Sequence, residues 1–398
     1  NVDDHLNGNL FQVNTLVTVA NRSFIVQVDT GSTLMAIPLV NCSSCEDRPA
    51  DRMIYDPSAS RFSKLVKCNS ENCLSSGSSR PRCSMQLKET CDFRISYGDG
   101  SSVSGQLYED MVTLAGLSSI AHFGANEYES DHFEYPDADG ILGLGRSCKT
   151  CVQTVFESIV KNTGVKNIFS MVLNNEGSGA MSMGDINPHF YSGPVLYTPI
   201  RAFGPFYTIG LTSFKIGKTS IDPRLFGNVI VDSGSTALTL ASGAYDALIK
   251  YFMTNLCNIP GVCGYPNIFD GSICFREDTL INSFPILYFT FAGGVVVPVY
   301  PINYLIRVPL TSDEVGYCWM IDNGDSDMTI LGDVFMRGLH IIFDNESNQV
   351  GFSIGKYNNK VINPRMTISK SRDVDINLNV DDAVNLDVGL NLEMDEQD

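Results

Sequence analysis

The sequence predicts a mostly β protein built from two similar lobes, and three observations carry that reading. Runs rich in Val, Ile, Thr, Phe and Tyr recur between clusters of Gly, Asn, Asp and Pro: Leu10 to Val19, Phe24 to Val28, Val295 to Val299 and His340 to Phe343. Only two stretches, Thr154 to Lys161 and Ala244 to Leu256, space their apolar residues as a helix does. The length of 398 residues exceeds the usual size of one domain. The third observation is an internal repeat.

The run Phe24-Ile25-Val26-Gln27-Val28-Asp29-Thr30-Gly31-Ser32-Thr33 returns as Asn228-Val229-Ile230-Val231-Asp232-Ser233-Gly234-Ser235-Thr236. About a hundred residues after each copy comes a second shared element, Gly140-Ile141-Leu142-Gly143 and then Thr329-Ile330-Leu331-Gly332. Two elements repeated in the same order imply a duplicated lobe. The lobe boundary is expected between Gly193 and Ile200, ahead of the aromatic run Phe206-Tyr207-Thr208-Ile209. This gives an N-terminal lobe over 1–195, a C-terminal lobe over 196–360 and a tail over 361–398. The tail is rich in Asp, Asn, Val and Leu and lacks aromatic residues, so a disordered acidic segment is expected there. A stalk leading to a membrane anchor beyond the C-terminus is the alternative.

The apolar share of 43% and charged share of 18% are those of a globular protein, and no stretch holds the roughly 18 consecutive apolar residues of a spanning helix. A formal charge of −18 argues against nucleic acid or an anionic membrane as partner, because both require a basic face. It suits an acidic setting, where protonated carboxylates relieve self-repulsion. Asn1 is not an initiator Met and the first residues lack the layout of a signal peptide, so a processed or trimmed start is expected.

The 12 cysteines are even in number and many lie close in sequence, as with Cys42 and Cys45, Cys148 and Cys151, or Cys257 and Cys263. That pattern fits disulfides formed in an oxidising compartment. The acceptor sequons at Asn21, Asn41 and Asn345 point to the same secretory route. Cys42-x-x-Cys45 and Cys148-x-x-Cys151 also have zinc-ligand spacing, which keeps a metal site open as the rival reading. The five histidines are scattered without a His-x-x-x-His pair, so no catalytic zinc constellation stands out and no metal or cofactor is expected.

An apolar strand ending in Asp-Thr-Gly-Ser or Asp-Ser-Gly-Ser has a physical use. The strand anchors in a core, Gly allows a sharp turn, and the hydroxyl residues can hydrogen-bond the carboxylate. Alone, either tripeptide is an ordinary turn. Its doubling, each time after an apolar run and before Ile-Leu-Gly, marks Asp29 and Asp232 as a site. Two lobes related by a pseudo-two-fold axis would bring these carboxylates face to face. Like charges so close cannot both ionise, so the pair would share one proton, one member acting as base and the other as acid.

With these motifs the sequence resembles the pepsin-like family of aspartic proteases over roughly residues 8 to 356. The resemblance implies a bilobal pepsin-like acid protease fold with lobes related by a pseudo-two-fold axis, and an endopeptidase acting on peptide or protein substrate at acidic pH. It implies that Asp29 and Asp232 are catalytic and that Thr30 and Ser233 interlock the two loops. Ser32 and Ser235 would hydrogen-bond the outer carboxylate oxygens, and Gly31 and Gly234 would shape the turns. Each Ile-Leu-Gly would cross behind its loop. Ile95-Ser96-Tyr97-Gly98-Asp99-Gly100-Ser101 resembles the family's flap, with Tyr97 its tyrosine and Tyr97, Gly98 and Asp99 facing substrate; Asp99-Gly100 is itself a strong hairpin dipeptide. Cys274 and Cys318 match a disulfide widespread in the second lobe.

The stretch between Asp29 and the flap is longer than in pepsin and holds Cys42, Cys45, Cys68, Cys73, Cys83 and Cys91. This insert looks like that of the nepenthesin-type branch and of plasmepsin V-type processing proteases, with connectivities left open. One departure stands out: the family usually has a Trp a few residues after Ser32, where this chain reads Thr33-Leu34-Met35-Ala36-Ile37-Pro38. A catalytically inert binding protein of the same fold is the alternative from another class. It would lack an active-site Asp, a neighbouring hydroxyl or the flap Tyr, and this chain has all of them. A secreted or vacuole-like location and a monomer are expected.

Overall fold

The computed structural model describes residues 2–8, 12–42, 44–45, 52–70, 73, 82–83, 89–98, 100–130, 138–148, 151–269, 271, 273–276, 281–311, 314–324 and 326–371. Strands dominate. Strand Arg22–Asp29 alternates as a half-buried strand should, with Phe24, Val26 and Val28 fully buried and Ile25 turned outward. Strand Ser102–Leu114 shows the same alternation along the flap-bearing sheet. The two helix-like stretches are helices Val155–Thr163 and Ser242–Asn255. The first opens on a capping box, in which the Thr154 hydroxyl accepts from the Glu157 amide while the Glu157 carboxylate accepts from the Thr154 amide.

The sequence repeat is a repeat of topology. In the first half, Arg22–Asp29 runs parallel to Gly140–Gly143 with Gly143 opposite Asp29, and Ile141 pairs antiparallel with Ala36. In the second half, Asn228–Val231 runs parallel to Met328–Leu331, and Leu331 pairs antiparallel with Leu238. The strand after each Asp also gains a parallel neighbour, Ala36–Pro38 beside Gly124–Asn126 and Leu238–Leu240 beside Ile321–Asn323. Three pairings recur in matching order, which gives the bilobal β fold.

A six-stranded antiparallel sheet joins the halves. Its order is Val2–Gly8, Gly179–Met183, Ile168–Leu173, Leu339–Asp344, Gln349–Tyr357 and Tyr191–Arg201. The halves meet where Ile168–Leu173 pairs with Leu339–Asp344. There Phe169 and Phe343, directly opposite, stack with ring centroids 4.7 Å apart. The expected lobe boundary therefore falls inside a strand: Tyr191–Arg201 pairs with Gln349–Tyr357 of the second half. Gly193 and Pro194 sit at a register shift in that strand, between Ser192 and Leu196.

The expected tail also needs correcting at its start. Ser369–Lys370 pairs with Val295–Val299, Met366 is buried, and the Tyr300 hydroxyl donates to the Arg365 carbonyl at 2.7 Å. Residues 361–371 thus belong to the second half, held by backbone pairing that composition does not announce; the remainder of the expected tail, 372–398, lies outside the described residues. Among the described residues no helix is long and apolar enough to cross a membrane.

All twelve cysteines are paired, as Cys42–Cys45, Cys68–Cys83, Cys73–Cys91, Cys148–Cys151, Cys257–Cys263 and Cys274–Cys318. The two Cys-x-x-Cys motifs are thus disulfides. In the insert Cys42 bonds its nearest neighbour Cys45, whereas Cys68–Cys83 and Cys73–Cys91 cross. Cys73 and Cys91 are buried with Leu34, Ala36, Val66, Phe93, Val103, Leu107 and Val152 in a small core, so this staple reinforces the start of the hairpin formed by Cys91–Ser96 and Ser102–Leu114. Mass analysis after alkylation without reductant should find no modified cysteine. The Cys73→Ala/Cys91→Ala double variant should lose about 2–5 kcal/mol in denaturant unfolding. Alkylated thiols in the native protein would contradict this framework.

Candidate active site

Asp29 ends its strand, and Asp232 follows directly on the strand Asn228–Val231. Each chain then turns sharply, and the next residue reaches across to the other half. The Thr30 amide donates to Ser233 Oγ at 3.2 Å, and the Ser233 amide donates to Thr30 Oγ1 at 3.0 Å. The hydroxyls donate in turn: Thr30 Oγ1 to the Val231 carbonyl at 3.0 Å and Ser233 Oγ to the Val28 carbonyl at 2.7 Å. Thr30 and Ser233 are both fully buried, so each bond is shielded from water. The side chain of Gln27 adds a further crossing, donating to the Gly234 carbonyl at 3.2 Å.

This grip sets the carboxylates against one another. The Gly31 amide donates to Asp29 Oδ1 and the Gly234 amide to Asp232 Oδ1, each at 2.8 Å. A Cβ on Gly31 would lie 2.7 Å from the Asp232 carboxylate oxygens, and one on Gly234 would collide with Asp29 Oδ1. Glycine is required at both places by close approach. Ser235 Oγ donates to Asp232 Oδ2 at 2.8 Å. Its counterpart differs: Ser32 Oγ lies beside Asp29 and favours its ionised form, but makes no hydrogen bond of good geometry.

Burial, and then the facing Asp232 carboxylate, push Asp29 up to about 8, against the smaller opposing effects of Ser32 and the Gly31 amide. Asp29 and Asp232 are exposed by only 6% and 8% of their surface. Two acids in such a space hold one proton between them more readily than none. The Ile-Leu-Gly segments support the loops from behind. The Leu144 amide donates to the Asp29 carbonyl at 2.7 Å, and the Asp232 amide donates to the Leu331 carbonyl at 3.1 Å. A Cβ on Gly143 would fall 2.5 Å from the Thr33 carbonyl carbon, and one on Gly332 would strike the Ser235 and Ala237 carbonyls. That explains why both copies end in glycine.

The family model described as "Eukaryotic aspartyl protease" matches residues 14–354. The chain belongs to that family. Among its relatives, an aspartic protease of Phaffia rhodozyma is 28% identical over 342 residues, covering 85% of this chain and 75% of that protein. Aspartic proteinase 36 of Arabidopsis thaliana is 26% identical over 362 residues, covering 83% and 71%. Penicillopepsin-1 of Penicillium rubens is 26% identical over 347 residues, covering 85% and 77%.

In this aspartyl protease the hairpin expected to be the flap is formed by Cys91–Ser96 and Ser102–Leu114, with Ser96 opposite Ser102. The Tyr97 amide donates to the Ser101 carbonyl at 2.9 Å, and the Gly100 amide to the Tyr97 carbonyl at 3.1 Å, Gly100 taking a positive φ of 85°. Gly98 stands clear of its neighbours; Asp99 lies outside the described residues. Tyr97 is half-buried and packs against the small core that contains Leu34, Phe93 and Val152. Leu34 and Met35, in the stretch where the family has a Trp, are both buried, and Leu34 belongs to the cluster against which Tyr97 packs.

The sequence reading missed Gln27, Leu144 and Asp333. Asp333 follows the second Ile-Leu-Gly, is buried, and is held well above the usual carboxylate range by burial, which the nearby Arg337 offsets in part. Only its place next to a repeated motif could have drawn attention to it.

A carboxyl raised in the folded state stabilises the fold fully below its unfolded value of 3.8, and that stability is lost as pH rises through about 8. Buried His340, lowered to about 3 by burial, acts in the opposite sense: its stability is present above 6.5 and is lost as pH falls. A difference measurement separates the two. Asp29→Asn should gain stability relative to the unsubstituted protein as pH rises from about 4 to 8, by a few kcal/mol in all. Thermal unfolding of both proteins across that range checks it, and a constant difference would contradict it.

Proposed function

We propose that this protein is an aspartic endopeptidase that hydrolyses peptide bonds with a water activated between Asp29 and Asp232. The observation that carries the proposal is the pair of buried carboxylates held face to face by the Thr30–Ser233 bonds, with Asp29 driven toward its neutral form. With one proton on the pair, the ionised member takes a proton from the water as its oxygen attacks the scissile carbonyl carbon. The neutral member gives its proton to the carbonyl oxygen. A tetrahedral diol results. One member of the pair then protonates the amide nitrogen while the other takes a proton from a diol hydroxyl, and the C–N bond breaks to release an amine and a carboxylic acid, leaving one proton on the pair.

The flap supplies the rest. A hairpin carrying Tyr97 over the dyad would cover an extended peptide in the cleft between the lobes, exclude bulk water and hold the scissile bond in line. A bell-shaped dependence on pH follows from the need for one retained proton on the dyad, and the formal charge of −18 supports an acidic working range. The crossed bonds Cys68–Cys83 and Cys73–Cys91 in the segment before the flap support a place in the nepenthesin-type or plasmepsin V-type branch.

Six disulfides support passage through an oxidising secretory route. Two of the three sequons suit N-glycosylation. Asn21 and Asn41 are exposed at turns with positive φ, whereas the Asn345 amide donates to Asn167 Oδ1 and Tyr207 Oη at 3.2 Å each. Secretion from a eukaryotic host should place glycans on Asn21 and Asn41 and leave Asn345 bare. Peptide mapping with glycosidase treatment reads this, and a glycan on Asn345 would count against it.

Asp29→Asn and Asp232→Asn should each lower peptide hydrolysis by at least about 10⁴-fold while leaving the protein folded, because Asn keeps the shape but cannot join a shared-proton pair. The unsubstituted enzyme should show a bell-shaped dependence of rate on pH with an acidic maximum. Substantial turnover by either variant in a peptide-library digest would refute the assignment.

A further inference from the structure

The two active-site loops are joined a second time, behind the grip, through one tyrosine. Tyr207 is fully buried. Its carbonyl accepts from the Val231 amide at 3.1 Å, one residue before Asp232. Its hydroxyl donates to the Leu144 carbonyl at 2.9 Å. Leu144 in turn donates its amide to the Asp29 carbonyl at 2.7 Å. Tyr207 therefore stands two hydrogen bonds from Asp29 on one side, and on the other holds the residue next to Asp232.

The neighbouring bonds make this a clamp. The Gly145 amide donates to the Ser32 carbonyl at 2.6 Å, and the Arg146 amide to the Pro205 carbonyl at 2.8 Å. Residues 144–146 are thus gripped by the Asp29 loop on one face and by 205–207 of the second half on the other. A Cβ on Gly145 would lie 2.7 Å from the Ser32 carbonyl oxygen and 3.1 Å from that of Pro205, so the seam is closed to any larger residue. The tyrosine ring is fixed between Phe343, at 4.6 Å, and Phe169, at 6.0 Å, the pair that stacks at the centre of the interlobe sheet. Finally, the Asn345 amide donates to the Tyr207 hydroxyl at 3.2 Å, which orients the hydroxyl proton toward Leu144.

We infer that Tyr207 is a positioning residue of the dyad: its hydroxyl sets the height of the Leu144 support under Asp29 relative to the Val231 support before Asp232. The inference rests on the protease reading above. A buried hydroxyl that both accepts and donates has one geometry, and removing it leaves the Leu144 carbonyl without its cross-half donor. The Asp29 loop can then settle away from Asp232, and a shift of a fraction of an ångström between reacting groups is felt in the chemical step more than in binding.

Tyr207→Phe removes the hydroxyl and keeps the ring. It should lower kcat about tenfold with KM within about twofold, and move a limb of the pH–rate profile by about half a pH unit. Tyr300→Phe, which deletes a hydroxyl bonded to the Arg365 carbonyl away from the loops, should leave all three unchanged. Asn345→Ala, which removes the outer donor alone, should give a smaller loss of kcat in the same direction and stands in should Tyr207→Phe fail to fold. A second readout needs no turnover. The pH midpoint at which Asp29→Asn gains stability should shift by about half a unit when measured in the Tyr207→Phe background. If the unsubstituted protein cleaves no peptide at any pH, the protease reading falls and this midpoint alone decides the positioning role. An unshifted midpoint, or kcat and both pH limbs unchanged in Tyr207→Phe, overturns it.

Discussion

Everything functional in this molecule depends on the reciprocal hydrogen bonding of Thr30 and Ser233. Each residue gives its amide to the other's hydroxyl and its hydroxyl to the backbone of the opposite strand, so neither loop can move without breaking bonds that water cannot replace. The six-stranded sheet and the stacked Phe169 and Phe343 bring the halves together over a broad area. The grip then fixes the loops at one point, to the tolerance that a shared proton requires.

That constraint carries an electrostatic cost. Two carboxyl groups are held almost out of water with their loops so close that only glycine fits at positions 31 and 234. Burial drives Asp29 toward its neutral form, while the Gly31 amide works the other way and stabilises its negative charge. The balance leaves Asp29 as the member driven toward its protonated form. The two loops are near copies in sequence but not in environment: Ser235 bonds its Asp with good geometry and Ser32 does not, while Asp333 stands behind the second loop where Leu144 stands behind the first. Such differences place two like acids in different surroundings.

What the sequence made legible was whatever is local or repeated. Asp29, Asp232 and their loops could be read because turn chemistry and the doubling both point at them, and the helix Val155–Thr163 because its cap and its apolar spacing agree. Cys274–Cys318 was legible through the family resemblance, but the crossed pairs of the insert were not: Cys83 and Cys91 sit opposite each other in the hairpin register, yet bond elsewhere, to Cys68 and Cys73. The strand Tyr191–Arg201 was not legible because Gly193 and Pro194, poor strand formers, sit at a register shift within it. Residues 361–371 read as tail because backbone pairing, which leaves no mark in composition, holds them. Tyr207 was visible only as part of an aromatic run, since its links to both loops pass through its hydroxyl and its carbonyl.

The most direct test of the account is the binding of a peptide whose scissile bond is replaced by a statine-like hydroxyl, measured by calorimetry across pH. The hydroxyl would take the place of the water between Asp29 and Asp232, so binding should be tightest where the pair holds one proton. It should weaken by at least about a hundredfold in Asp29→Asn and in Asp232→Asn. Affinity that is indifferent to pH and equal in all three proteins would contradict the central claim that the two carboxylates act as a single proton-sharing unit.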